Sequence, residues 1–142
     1  MRVFLLLSLL FSPLSFAGHH SESKNDQIIF LLDLEVIEGK ENQVDDLIDR
    51  LVDNVKKTEP GTIAYEYYAS SKDRIFLYEV YENHAAAEFH VDSFLQGDLM
   101  PIFVDTFRVL TFEVLGTTTE QLKVKMKDFT QDHRPKTDGF KR

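Results

Sequence analysis

Glu59-Pro-Gly-Thr-Ile-Ala-Tyr-Glu-Tyr-Tyr68, followed after a short gap by Arg74-Ile-Phe-Leu-Tyr-Glu-Val-Tyr81-Glu-Asn-His-Ala-Ala-Ala-Glu-Phe-His90, is the stretch that decides the fold of this chain. Pro60 has no amide proton and Gly61 tolerates left-handed geometry, so the pair ends a preceding helical pattern. Two runs rich in aromatic and β-branched residues come next, 62–69 and 75–81. Between them lies Ser70-Ser71-Lys72-Asp73, a hairpin composition. Asn83 is placed to cap a helix that opens on Ala85, Ala86 and Ala87. Helix end, strand, turn, strand, helix is the middle of an α+β, ferredoxin-like βαββαβ domain.

The flanks complete that unit. Upstream, residues 27–37 alternate as a strand: Ile28, Phe30, Leu32, Leu34 and Val36 share one face, and Ile29, Leu31, Asp33, Glu35 and Ile37 the other. The second face is apolar at its start and acidic later, which suits a surface that packs on a partner. Residues 41–57 read as a helix, with Val44, Leu47, Ile48, Leu51, Val52 and Val55 on one stripe and acidic residues opposite. Downstream, a second helix is expected over 83–92. The segment 94–107 is mixed, with Pro101 either interrupting it or opening a short helix. Residues 108–115 alternate as a fourth strand that stops at Gly116. The domain is thus predicted over 27–116, with an extension over 117–142. Leu122, Val124 and Met126 alternate with three lysines, which predicts a short edge strand over 121–127. From Gln131 the composition predicts a disordered tail.

The amino terminus is expected to be removed. Met1-Arg2 precedes the apolar run Val3–Leu10, and Ser15-Phe16-Ala17 offers small residues at the two positions a signal peptidase reads. This predicts a signal peptide over 1–17 and a flexible leader over 18–26. The alternative is an uncleaved anchor, for which the run is short. His19-His20, in the leader, reads as spacer rather than metal site. The chain has no Cys, which excludes thiol catalysis, thiolate zinc sites, disulfides and a lipidated cysteine, so the core alone must hold the exported protein. Its formal net charge of -8 argues against nucleic acid and anionic membrane surfaces as partners.

Motifs for several chemistries are missing: no glycine-rich phosphate loop, no nucleophile elbow, no His-Glu-x-x-His. His84, Glu88 and His90 do not make a metal site, because helical geometry sets the two histidines on different sides. His90 is the candidate catalytic base. It stands three and four residues past Ala87 and Ala86, over small residues that would pack on the sheet, and its imidazole titrates near neutral pH. The bland alternative is a buried histidine with its hydrogen bonds satisfied. All five tyrosines lie in the two hairpin strands. Tyr65 and Tyr67 share a face of theirs, and Glu79 and Tyr81 a face of theirs. Tyr65, Glu79 and Tyr81 are the candidate substrate-binding residues, against the plain fact that aromatics favour strands and build cores. Glu79, among apolar neighbours, needs a partner or a shifted pKa, and Arg74 or Arg108 offers one.

A Pro-Gly before the hairpin, a Tyr in its first strand, Tyr-Glu-x-Tyr in its second and a helix ending in Phe-His resemble the antibiotic biosynthesis monooxygenase family over 27–116. The resemblance implies a dimeric ferredoxin-like α+β barrel with a pocket between sheet and helices in each subunit. It also implies activities that range from cofactor-independent oxidation of quinols and polycyclic aromatics to haem degradation. The haem-degrading branch carries an Asn in the first strand, a Trp in the second helix and a His after it. Here the first strand reads Leu31-Leu32-Asp33, the chain has no Trp, and 96–103 has no His, so haem degradation is not expected. The Trp favoured by the polyketide branch is missing as well. His90 matches a His of the quinol-oxidising branch and Ser93 a Ser that follows it, while Phe94 stands early and Gln96 occupies the usual Phe position. The expected function is an exported, homodimeric, cofactor-independent monooxygenase of a small aromatic or quinol compound. The alternatives are a small-molecule binding protein without turnover and a structural dimer module. No cofactor or metal is expected, and no membrane contact after signal cleavage.

Overall fold

The computed structural model describes residues 26–140. The expected signal peptide of 1–17 and leader residues 18–25 lie outside them. Among the described residues, strands and α-helices follow in order: β1 (Ile28–Val36), α1 (Val44–Thr58, led by a 3-10 turn over Glu41–Gln43), β2 (Thr62–Ala69), β3 (Arg74–Tyr81), α2 (His84–Gln96), α3 (Met100–Thr106), β4 (Phe107–Leu115), α4 (Glu120–Met126) and β5 (Asp132–Arg134). The sheet runs β2-β3-β1-β4-β5. Its first four strands are antiparallel and have the ferredoxin-like arrangement, and β5 joins β4 in parallel.

The alternation read in β1 sets the layers. Every other residue from Ile28 to Val36 is buried, and those between are half-buried. The buried set meets Leu47 and Leu51 of α1, Ala87 and Val91 of α2, and Phe103 of α3 in one core. α1 carries Asp45 and Asp46 in its first turn and Lys56 and Lys57 in its last, the charge order its dipole favours. Asn83 caps α2, its Oδ1 accepting the Ala86 amide at 2.9 Å. Pro101 takes its place in the first turn of α3, where a missing N–H costs nothing.

The Pro60-Gly61 break falls where expected, but for another reason. No left-handed φ occurs at Gly61; a Cβ there would lie 2.7 Å from the Cβ of Ala86. Glycine is needed because the turn after α1 touches the first turn of α2.

The extension departs from expectation twice. Residues 120–126 form a helix, not a strand. Leu122 and Met126 are buried and Val124 is exposed, which is four-residue spacing. The period-two alternation also satisfied that spacing, and the cap decided: the Thr119 hydroxyl accepts the Leu122 amide at 3.0 Å. The same hydroxyl donates to Glu88 at 2.8 Å, and Lys125 meets Asp92 at 2.5 Å, which ties α4 to α2. The tail after Gln131, read as disordered, contains β5. Thr130 Oγ1 donates to the Phe112 carbonyl at 2.5 Å and the Gly116 amide to that of Arg134 at 3.0 Å. A polar tripeptide lacks the apolar alternation that reveals a strand, because only its backbone is used.

The helices cover one face of the sheet. The other carries Ile29 and Leu31 of β1 beside Val80 and Tyr78 of β3, then Asp33 paired with Arg74 and Glu35 with Arg108 at 2.5 Å. Those pairings remove both arginines as partners for Glu79, which faces the opposite way.

Candidate active site

β2, β3 and α2 bring the expected residues to one place. Glu79 stands directly across the ladder from Tyr65, so both point to the helix-covered face. His90 comes down from α2 onto them. Its ring centroid lies 5.2 Å from that of Tyr81 and 5.7 Å from that of Tyr65, and Phe94, one turn on, stacks over it at 6.2 Å.

The imidazole sits between two carboxylates. Nδ1 donates to Glu59 Oε2 at 2.8 Å, and Nε2 is 3.8 Å from Glu79 Oε2. All three side chains are buried. Glu59 also accepts from the Thr62 hydroxyl at 3.2 Å. It stands just past the last turn of α1, where the helix dipole disfavours an anion, so these donors offset both burial and the dipole. A carboxylate on Nδ1 holds the ring in one orientation and tautomer, leaving Nε2 as the proton acceptor. Glu79 in turn accepts from Tyr81 at 2.5 Å, and Tyr65 and Tyr67 share a hydrogen bond of 3.0 Å. Because the two carboxylates lie on opposite ring nitrogens, they do not converge as a metal site; among the described residues no such group of three occurs.

Burial pulls the His90 pKa down, but Glu79 and Glu59 outweigh it and the net direction is up. Burial raises Glu79, against the lowering effect of His90 and the Tyr81 hydroxyl. Burial holds Tyr65 and Tyr81 well above the ordinary phenol range. The site therefore keeps its phenols neutral and places a base with raised affinity for protons beside a reluctant carboxylate.

This has a consequence for stability. A raised Glu79 holds its proton in the folded chain after the unfolded chain has lost it, so its contribution falls as pH rises from the usual 4.5 through the raised value. His90 acts in the same direction from 6.5 upward. Glu79→Gln, which retains an acceptor for Tyr81, should match the wild type in melting temperature at acid pH and exceed it increasingly as pH rises. Parallel melting curves across that range would show that Glu79 carries no buried-charge cost.

Tyr65, Glu79 and His90 close one end of a cavity of about 320 Å³. Its walls are apolar, with Phe30, Leu32, Phe94, Phe103 and Phe112 among them, and among the described residues no Lys or Arg lines it. Behind His90 lies a second, polar cleft of about 390 Å³ that reaches Glu59, Asn54 and Ser93. His90, Tyr65 and Phe94 line both and form the partition between them. Tyr81 lines neither; it lies behind Glu79 and holds it. Sequence reasoning missed Glu59 and Phe94. Glu59 is one of 24 acidic residues, and only its place before Pro60-Gly61 set it apart. Phe94 is four residues past His90, the ordinary spacing for a stacked pair on a helix.

A ferredoxin-like sheet whose helix-covered face encloses an acid–base cluster in an apolar cavity defines a small α+β class of proteins. The antibiotic biosynthesis monooxygenase profile matches residues 28–107, and the chain belongs to that family. Its structure is similar to MupZ from Pseudomonas fluorescens, with a TM-score of 0.74 at 16% identity over 83% of this chain and 96% of that one. A conserved protein from Methanosarcina mazei gives 0.58 at 14% identity over 67% and 96%. A putative antibiotic biosynthesis monooxygenase from Caulobacter crescentus gives 0.53 at 18% over 68% and 93%. At these identities the likeness is one of fold. No curated protein matches the sequence.

Proposed function

We propose that the chain is a cofactor-independent monooxygenase of a small aromatic or quinol compound, exported after loss of residues 1–17 and working as a homodimer. The observation that carries the reading is the buried Glu59–His90 pair, with Nε2 turned toward Glu79 at the end of an apolar cavity. Family membership supports the reaction class. In the reaction, His90 Nε2 takes the proton of a quinol hydroxyl. The electron-rich ring carbon then bonds to dioxygen. The proton held on Nε2 returns to the outer peroxide oxygen, and breaking the O–O bond, with loss of the ring hydrogen at that carbon, releases water and leaves one oxygen on the ring, which ends as a hydroxyquinone. The substrate supplies all the electrons, so no separate reductant is needed. The protein contributes a base, an apolar enclosure and positioning.

Oxygen uptake with a panel of quinols tests this: one O₂ should be consumed per substrate, above buffer autoxidation. Ligand-induced thermal shifts without uptake would instead make the chain a binding protein, and neither response would leave a structural dimer module. The same preparation tests the rest. The apolar end of the open sheet face, around Ile29, Leu31 and Tyr78, supports a dimer. Light scattering should give the mass of two chains and intact-mass analysis a first residue at Gly18 or a neighbour; a stable micromolar monomer, or retained Met1, would reject the respective claim.

A further inference from the structure

The cavity is larger than a single ring requires. An apolar cavity of about 150 Å³ accepts benzene, and this one is roughly twice that size, at about 320 Å³. Its chemistry is also lopsided. Tyr65, Glu79 and His90 sit together at one end, between the sheet and α2. The mouth is formed by Leu95 of α2, Val104 of α3, Val109 of β4 and Phe129 from the segment after α4, all cavity-lining and between 38% and 50% exposed. Single exposed apolar side chains are ordinary. Four of them, from four separate segments, around the opening of one cavity form a patch of the kind that marks binding. Asp128 is the charged residue of this rim, exposed and adjacent to Phe129. The carboxy-terminal extension thus supplies both the rim's aromatic ring and its charge.

We infer that the ligand is an uncharged ring compound with an apolar tail, its ring seated against His90 and Glu79 and its tail leaving across Leu95, Val104, Val109 and Phe129. Asp128 repels tails that end in an anion. The inference rests on reading the cavity as the substrate site and names the class of substrate that site takes. A one-ring quinol without a tail fills the polar end only and leaves the mouth wet; a tail buries the four rim side chains and removes their apolar surface from water.

The test is calorimetric binding of para-alkylphenols to the mature full-length protein, with methyl, butyl, hexyl and octyl chains, and of an octyl chain ending in a carboxylate or its methyl ester. The dissociation constant should fall about two- to fourfold per added methylene. The acid should bind about fivefold more weakly than the ester. Phe129→Ser and Val104→Ser, both at exposed positions, should flatten the chain-length series beyond butyl. Asp128→Lys should reverse the acid-to-ester preference. A flat series in the wild type, or a slope that survives both rim substitutions, overturns the tail assignment. An unchanged acid-to-ester ratio in Asp128→Lys overturns the charge assignment. If Val104→Ser changes the mass in light scattering while the slope persists, the rim is a contact between copies and the inference fails. These phenols are read by binding alone. A steep series without oxygen uptake by any quinol keeps this inference and removes the monooxygenase, and uptake with a flat series does the reverse.

Discussion

His90→Gln is expected to lower turnover by about two to four orders of magnitude, the range for loss of a general base. Gln retains a donor that can reach Glu59 but cannot take up a proton near neutral pH. The substitution also removes the only imidazole from between two buried carboxylates, so some stability should be lost, about 1–3 kcal/mol. Activity must therefore be expressed per folded molecule. Glu59→Gln separates the base from its support. The amide oxygen still accepts from Nδ1, but one of the two charges that raise the His90 pKa is gone. The acid-side limb of the rate profile, where the rate climbs as His90 loses its proton, should move to lower pH while the protein stays folded. Full specific activity in His90→Gln would remove His90 from the chemistry, and with it the proposed mechanism.

Leu122→Ala should cost about 2–5 kcal/mol, the usual loss for a leucine truncated in a packed core. Leu122 is fully buried although it lies beyond the four strands that define the fold. Against a total stability of about 5–15 kcal/mol for a domain, that loss is large. Val124→Ala, two residues on and exposed, should cost far less. Chemical denaturation of both variants checks the claim. Equal, small effects would show that the extension hangs free of the core, and would remove the ground for treating Phe129 and Asp128 as parts of the cavity.

The candidate site was partly legible because strand and helix periods are. Tyr65 and Glu79 fall on inward positions of their strands, and His90 on the small-residue face of α2; the ladder register then makes them neighbours. Glu59 was not legible. A carboxylate at the end of an amphipathic helix reads as solvated, and only the approach of the turn after α1 to α2 buries it and sets it on Nδ1. Tyr81 shows the opposite error. Its face was read correctly, but depth decides whether a side chain lines a cavity or supports one that does, and alternation carries no depth. Arg74 and Arg108 failed as partners for Glu79 for a related reason. β1 lies between β3 and β4, and its acidic residues on the open face meet both arginines first.

Sequence by itself determined the four-stranded unit, its order of strands and helices, the α2 cap at Asn83 and the family; at Pro101 it left a break and a short helix both open, and the structure decided for the helix. Each rests on a local signal: a period of two or of 3.6, a capping side chain, a missing amide proton. Tertiary structure alone decided the extension and the enclosure of the site. Leu122-Val124-Met126 satisfies both periods, so its conformation was settled by Thr119 and by the hollow into which Leu122 and Met126 fit. β5 forms because β4 leaves an edge unpaired, and backbone pairing asks nothing of the side chains that a reader of sequence can see. The cavity exists because segments from β1 to the one after α4 leave their apolar surfaces incompletely filled, a property of volume that no pattern along one chain encodes.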